Sequence, residues 1–167
     1  ISPYPPDFQN YQDARQSPSI KHPFGTDLFG RDILSRIIYG TRISIIVGTL
    51  SMAIASVIGT LLGLIAGYYG KWLDVIIMRI MDSFMAFPAI LLALLIMSVL
   101  GPSLANAIIA VGIIYIPTFA RLIRASALSI REKQYMEAAR AIGMPNWHIM
   151  IKVILLKNLQ ILCFNLL

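Results

Sequence analysis

Between Arg42 and Lys71 lie 28 residues without a single charge, and between Asp82 and Arg121 lie 38 more. A helix needs about 20 mostly apolar residues to cross the hydrocarbon core of a bilayer. The first block therefore holds one crossing, and the second holds two helices joined by a tight turn. The competing explanation, a buried helix of a soluble protein, does not suit uncharged blocks of this length. Charged residues make up 13% of the chain, roughly half the share in an ordinary soluble domain. The expected fold class is all-α, a polytopic membrane helix bundle in contact with the lipid bilayer.

The net charge of +6 is concentrated. From Arg121 to Lys157 there are seven basic residues and two acidic ones, Glu132 and Glu137. A basic excess beside apolar spans marks the cytoplasmic side. Nucleic-acid binding is the other use of such charge, but a loop hemmed in by membrane spans does not fit it, so no nucleic-acid partner is expected. The lone cysteine, Cys163, excludes an internal disulfide and a CxxC metal knuckle. No GxxxxGK[ST] loop is present, so no P-loop nucleotide site is expected on this chain. No Ser-His-Asp or metal-ligand cluster is apparent, so an enzyme active site and a cofactor on this chain are not expected. Met78, Met81 and Met85 share a helical face, and packing explains them better than metal passage.

Along the chain, Pro3, Pro5, Pro6 and Pro18 forbid a continuous helix before residue 23. Residues 24–42 alternate charge with Ile and Leu, and Asp32 and Arg36 can pair one turn apart, which predicts an interfacial amphipathic helix. Residues 1–42 then form an extracytoplasmic segment, and residues 43–167 form the membrane domain. Spans are expected at about 43–67, 75–100 and 104–120, with a truncated fourth at 150–167 and a cytoplasmic loop at 122–149. The first carries Ser51, Ala55, Gly59, Gly63 and Gly67, a small residue every fourth position. Such a stripe lets helix backbones approach closely, within a subunit or between subunits. Arg79 and Asp82 can neutralise each other, and Pro88 is expected to kink the second span. The chain opens with Ile1 and no signal peptide is visible. It closes on an apolar run at 151–167, so both ends are expected to be cuts in a larger membrane protein.

Ser129 and Glu132 have capping-box spacing, which predicts a helix start. Gly143 and then Pro145 predict its stop, and Asn146 can cap the next helix. A short polar-faced helix with the sequence EAARAIG at 137–143 thus lies between spans.

That loop resembles the cytoplasmic signature of ABC importer permeases. These proteins share Glu-Ala-Ala, three variable residues, Gly, nine variable residues, then Ile-x-Leu-Pro. Glu137, Ala138, Ala139, Gly143, Val153 and Leu155 stand at matching positions, while Leu156 replaces the proline and Lys157 the usual asparagine. The segments HPFGTDLFGRDILSRIIYGTRIS at 22–44 and AGYYGKWLDVIIMRIMDSFMAFPAILLALLI at 66–96 look like the second membrane subunit of dipeptide, oligopeptide and nickel importers. The resemblance covers roughly residues 22–155. It implies an ABC importer type I permease fold, incomplete at both ends, in a multi-pass protein of the cell inner membrane. It also implies a second permease subunit, two cytoplasmic ATPase subunits that hydrolyse ATP, and an extracytoplasmic substrate-binding protein. Glu137, Ala138, Ala139 and Gly143 would form the loop that couples to the ATPases. Peptide is the implied cargo; a nickel permease, or a truncated, non-transporting membrane fragment, is the alternative. A membrane enzyme is the remaining class, and the shortage of His, Cys and carboxylates in the spans speaks against it.

Overall fold

The computed structural model describes residues 2–131 and 143–145. They form four α-helices, α1 (Ile33–Tyr69), α2 (Lys71–Ala86), α3 (Ala89–Leu100) and α4 (Leu104–Arg131), preceded by one 3-10 turn at Tyr11–Asp13. The chain divides into two compact units, Ile1–Thr49 and Leu50–Leu167.

The first unit is a looped segment tied down by carboxylates. Helix α1 begins at Ile33, not within residues 24–32 as the amphipathic pattern predicts. The reason is local. Gly25 and Gly30 hold φ of 73° and 71°, and a Cβ on Gly30 would fall 1.7 Å from the Asn10 carbonyl oxygen. Asp32 then caps the helix, because its Oδ2 accepts the Ser35 amide at 2.8 Å. Its Oδ1 lies 3.0 Å from His22 Nδ1. That double duty removes it from the expected pair with Arg36. Arg36 reaches back instead to Asp27 Oδ2 at 2.9 Å, and Arg31 joins the same oxygen at 2.7 Å.

In the second unit, α1 and α4 pack along the small-residue stripe. Ser51 Oγ donates to the Ile108 carbonyl at 3.0 Å. A Cβ on Gly59 would meet Phe119 and Ile116; one on Gly63 would meet Ala120 and Ile123; one on Gly67 would meet Ala127. Residue numbers rise together on both helices, so α1 and α4 run in the same direction. Ala55 is fully buried in this seam.

Helix α2 returns against α4, with Met81, Ile116 and Ala120 at the centre and Leu62, Ile77, Met78, Phe84 and Ile113 around them. It stops at Phe87, whose ψ of 138° is extended, because a residue before proline is driven out of the helical region. Helix α3 restarts after Pro88 at 95° to α2. The expected kink is therefore a full break. Helix α3 is apolar but for Ser98, whose hydroxyl donates to the Leu95 carbonyl, and it buries none of its residues. A helix that is apolar all round needs an apolar environment, from lipid or from protein packed on it.

Helix α4 runs to Arg131, eleven residues past the expected end of the third span. Pro117 sits inside it, and Ile123, Ala127 and Ile130 extend its buried face. Ser129 lies within this helix, so no new helix starts there as the capping-box spacing predicts. Helices α1 and α4 are each long and apolar enough to cross a membrane, and α2 with α3 makes a third candidate if the bent pair is one span.

Candidate functional site

Among the described residues of the second unit, two aspartates of α2 and three arginines of α4 make polar contacts between helices. Arg121, Arg124 and Arg131 fall near one face of α4, since offsets of three and ten residues bring side chains close to the same helical angle. Arg124 grips Asp74 with two nitrogens, Nη2 lying 2.6 Å from Oδ2 and Nε bonding Oδ1. Arg121 pairs with Asp82. Arg131 Nη1 reaches the Tyr68 carbonyl at 3.4 Å, beside Gly70. Paired carboxylate and guanidinium groups are what a membrane segment requires of its charges, because an isolated one is costly in lipid. The bidentate grip also fixes orientation, which a lysine would not do.

Above this corner the α2–α3 break opens a cleft. It measures 320 Å³ and is lined by Phe84, Phe87, Leu92, Ile114, Tyr115 and Thr118 among others. At the break itself the Phe87 N–H turns back to the Phe84 carbonyl, three residues away, and the Leu92 N–H bonds the Pro88 carbonyl. Pro88 itself has no N–H to donate. Met81 is buried in the α2–α4 core, and Met85 lines the cleft.

The residues singled out from the sequence fare differently. Ser51, Ala55, Gly59, Gly63 and Gly67 all face α4 or lie buried beside it. Gly143 occupies a turn with φ of 76°, the left-handed region that suits glycine. Glu137, Ala138 and Ala139 lie outside the described residues, as do Glu132 and the truncated span at 150–167. The expected pair Arg79–Asp82 does not form. Asp82 turns across to Arg121 instead, because a partner on the facing helix offers a charge-assisted bond where an i, i+3 neighbour offers only a weak one.

Sequence reasoning missed the interhelical pairs. Two aspartates on α2 and two arginines on α4, all close to long apolar blocks, were the available signal: near lipid, complementary charges are expected to find each other. It also missed the histidine–aspartate contact in the first unit. His22 is buried; its Nε2 lacks a hydrogen-bond partner among the described residues and lies 3.9 Å from Asp13 Oδ2. Burial raises the Asp32 carboxyl, but hydrogen bonds from Ser35 and His22 outweigh burial and hold it below the usual carboxylate range. Asp27 behaves alike: burial raises it, and the Arg31 and Phe29 amides with the Arg31 guanidinium pull it lower.

Residues 59–159 match the family described as the binding-protein-dependent transport system inner membrane component. The chain is 51% identical over 150 residues to a dipeptide transport system permease protein, DppC, of Alkalihalophilus pseudofirmus, covering 90% of this chain and 49% of that protein. It is 47% identical over 158 residues to the glutathione transport system permease protein GsiD of Pectobacterium atrosepticum, covering 93% of this chain and 52% of that one. The GsiD protein of Escherichia coli is 46% identical over the same shares. The chain thus spans about half the length of these curated relatives. The match takes in the α1–α4 seam from Gly59 onward, the bent α2–α3 pair, the arginine-lined end of α4 and the Glu-Ala-Ala loop, so the chain belongs to the family of binding-protein-dependent transport system inner membrane components, a family of transport subunits rather than enzymes.

Proposed function

We propose that this chain is a membrane-spanning subunit of an ATP-driven importer for dipeptides and short oligopeptides. It contributes to the translocation path and couples to separate ATPases through the loop at 137–143. The observation that carries this reading is the continuity of α4. One helix packs on α1, exchanges ion pairs with α2, and runs unbroken to Arg131, six residues before Glu137. A force applied at the loop therefore enters the bundle through a stiff rod, which is what coupling to an external motor demands. The relatives named for dipeptide and glutathione transport favour peptide cargo over nickel.

The parallel run of α1 and α4 supports the topology. Two spans that cross in the same sense require one return crossing between them, which the broken pair α2–α3 supplies. The basic residues beyond Arg121 support a cytoplasmic C-terminal end for α4. A second permease subunit, two ATPases below and an extracytoplasmic binding protein complete the assembly. Glu137, Ala138 and Ala139 meet the ATPase groove, and Gly143 permits the bend that follows.

Co-purification with the cognate ATPase tests this. Wild type should retain the ATPase, while Glu137→Lys and Gly143→Pro should weaken retention and uptake. Normal binding and uptake by both variants would refute the coupling role.

A further inference from the structure

We propose that the pairs Asp74–Arg124 and Asp82–Arg121 form a brace that passes movement of the coupling loop from α4 to α2, and that the Phe87–Pro88 break is the hinge that movement turns. This rests on the coupling reading given above and names the residues that would execute it.

The geometry is that of two splayed struts. Arg121 and Arg124 stand one turn apart on α4, about 4.5 Å along its axis. Their partners Asp82 and Asp74 stand eight residues apart on α2, about 12 Å along its axis. The helices run antiparallel here, so the two arginines reach in opposite directions along α2. Sliding α4 either way would shorten one strut and stretch the other. A single pair would act as a pivot; two diverging pairs lock translation and rotation together. The bidentate grip of Arg124 adds orientation to that lock.

The α1–α4 contact is built differently. It is a seam of small residues against Ile and Ala, in which Ser51 Oγ donates to the Ile108 carbonyl and, at the corner, Arg131 donates to the Tyr68 carbonyl. Close backbone packing resists separation of α1 from α4. The struts add charge-assisted bonds along a second helix. Displacement of α4 would therefore carry α1 and α2 with it as one body, whereas α3, which also packs on α4, has no charged residue to brace that contact. Movement must then appear at the next compliant place, which is the break at Phe87–Pro88. There the backbone ladder is interrupted and the 320 Å³ cleft gives the α3 side room to swing.

Neutralisation of charge alone is the competing role, and it predicts no effect on coupling. The test uses the assembled transporter that carries this chain, reconstituted with its ATPases and binding protein. Four versions are compared: wild type, Arg124→Gln, Arg124→Lys, and the exchange Asp74→Arg with Arg124→Asp. Peptide uptake, ATP hydrolysed per peptide moved, and an ATP-dependent spin-label distance between Ile76 and Leu94 are measured. Both label sites are exposed.

The expected results for Arg124→Gln are a fall in uptake of about tenfold, a rise in ATP per peptide, and loss of the ATP-dependent distance change. Arg124→Lys should fall between it and wild type, and the exchange should recover most of the uptake. An Arg124→Gln complex that assembles and keeps wild-type ATP per peptide and distance change would overturn the brace while leaving the coupling reading intact. So would loss of assembly in the single variants that the exchange fails to restore. A wild-type chain that neither retains an ATPase nor supports uptake would overturn the coupling reading, and the brace with it.

Discussion

The α1–α4 seam makes a prediction whose size follows from the coordinates. A Cβ added at Gly63 would lie 2.5 Å from the Ala120 carbonyl oxygen and 2.9 Å from Ile123 Cβ. An ordinary C···O contact is about 3.3 Å. Both neighbours sit on helix α4 and the nearer is backbone, so no side-chain rotation relieves the clash. The helices must part by about 0.8 Å there, and a gap of that size forfeits roughly a quarter to a half of the dispersion energy across it. Overpacking of this kind costs about 1–3 kcal/mol. Alanine returns about 1 kcal/mol through better helix propensity, so Gly63→Ala should lose up to about 2 kcal/mol net. Gly63→Leu, with three further carbons and little more propensity to gain, should lose more. Gly48→Ala is the matched control, since nothing lies within 4 Å of its added Cβ. It should be neutral or stabilising by up to about 1 kcal/mol. Reversible unfolding of the purified subunit in detergent, followed by helical circular dichroism against added denaturing surfactant, reads both. Opposite signs are expected. If Gly63→Ala and Gly48→Ala shift the midpoint equally and in the same direction, the seam is not close-packed and the reasoning fails.

The first unit should be acid-labile in a defined window. The Asp32 carboxyl lies lower in the folded chain than the ordinary value, so its contribution is fully present above about pH 3.9 and is lost as pH falls through the depressed folded value. Amide hydrogen exchange at Ser35 should accelerate below about pH 4, beyond the intrinsic pH effect, and in Asp32→Ala it should be fast already at neutral pH. Unchanged protection in Asp32→Ala would remove the cap from the account. Gly30→Ala should cost more than the usual loop substitution, because the new Cβ would fall 1.7 Å from a backbone oxygen at a φ of 71°. Limited proteolysis at residues 10–31 should rise in that variant, and wild-type resistance would contradict the turn described here.

How far the sequence could be read depended on what each residue interacts with. The uncharged blocks announce helices of membrane length because length and composition alone decide that. The stripe from Ser51 to Gly67 is visible as a period of four, but a period cannot say which helix it will meet. Pro88 marks an interruption, yet it does not announce a 95° turn or that both α2 and α3 pack on α4. The extension of α4 to Arg131 was hidden because Arg121 and Arg124 read as an exit into water, whereas they turn toward aspartates of α2. The same principle misassigned Asp32 and Asp82. Local spacing proposes a neighbour one turn away, and the folded chain supplies a better-oriented donor from elsewhere: a backbone amide and His22 in one case, Arg121 in the other.

The proposed ATP-coupled import of peptide is tested most directly by uptake. Proteoliposomes holding the transporter with this chain, the ATPases inside and binding protein outside, are given a radiolabelled dipeptide. Accumulation is expected only with internal ATP and external binding protein, and it should fall sharply with Glu137→Lys. Accumulation that is indifferent to ATP, or none at all from an assembled wild-type complex, would contradict an ATP-coupled peptide permease.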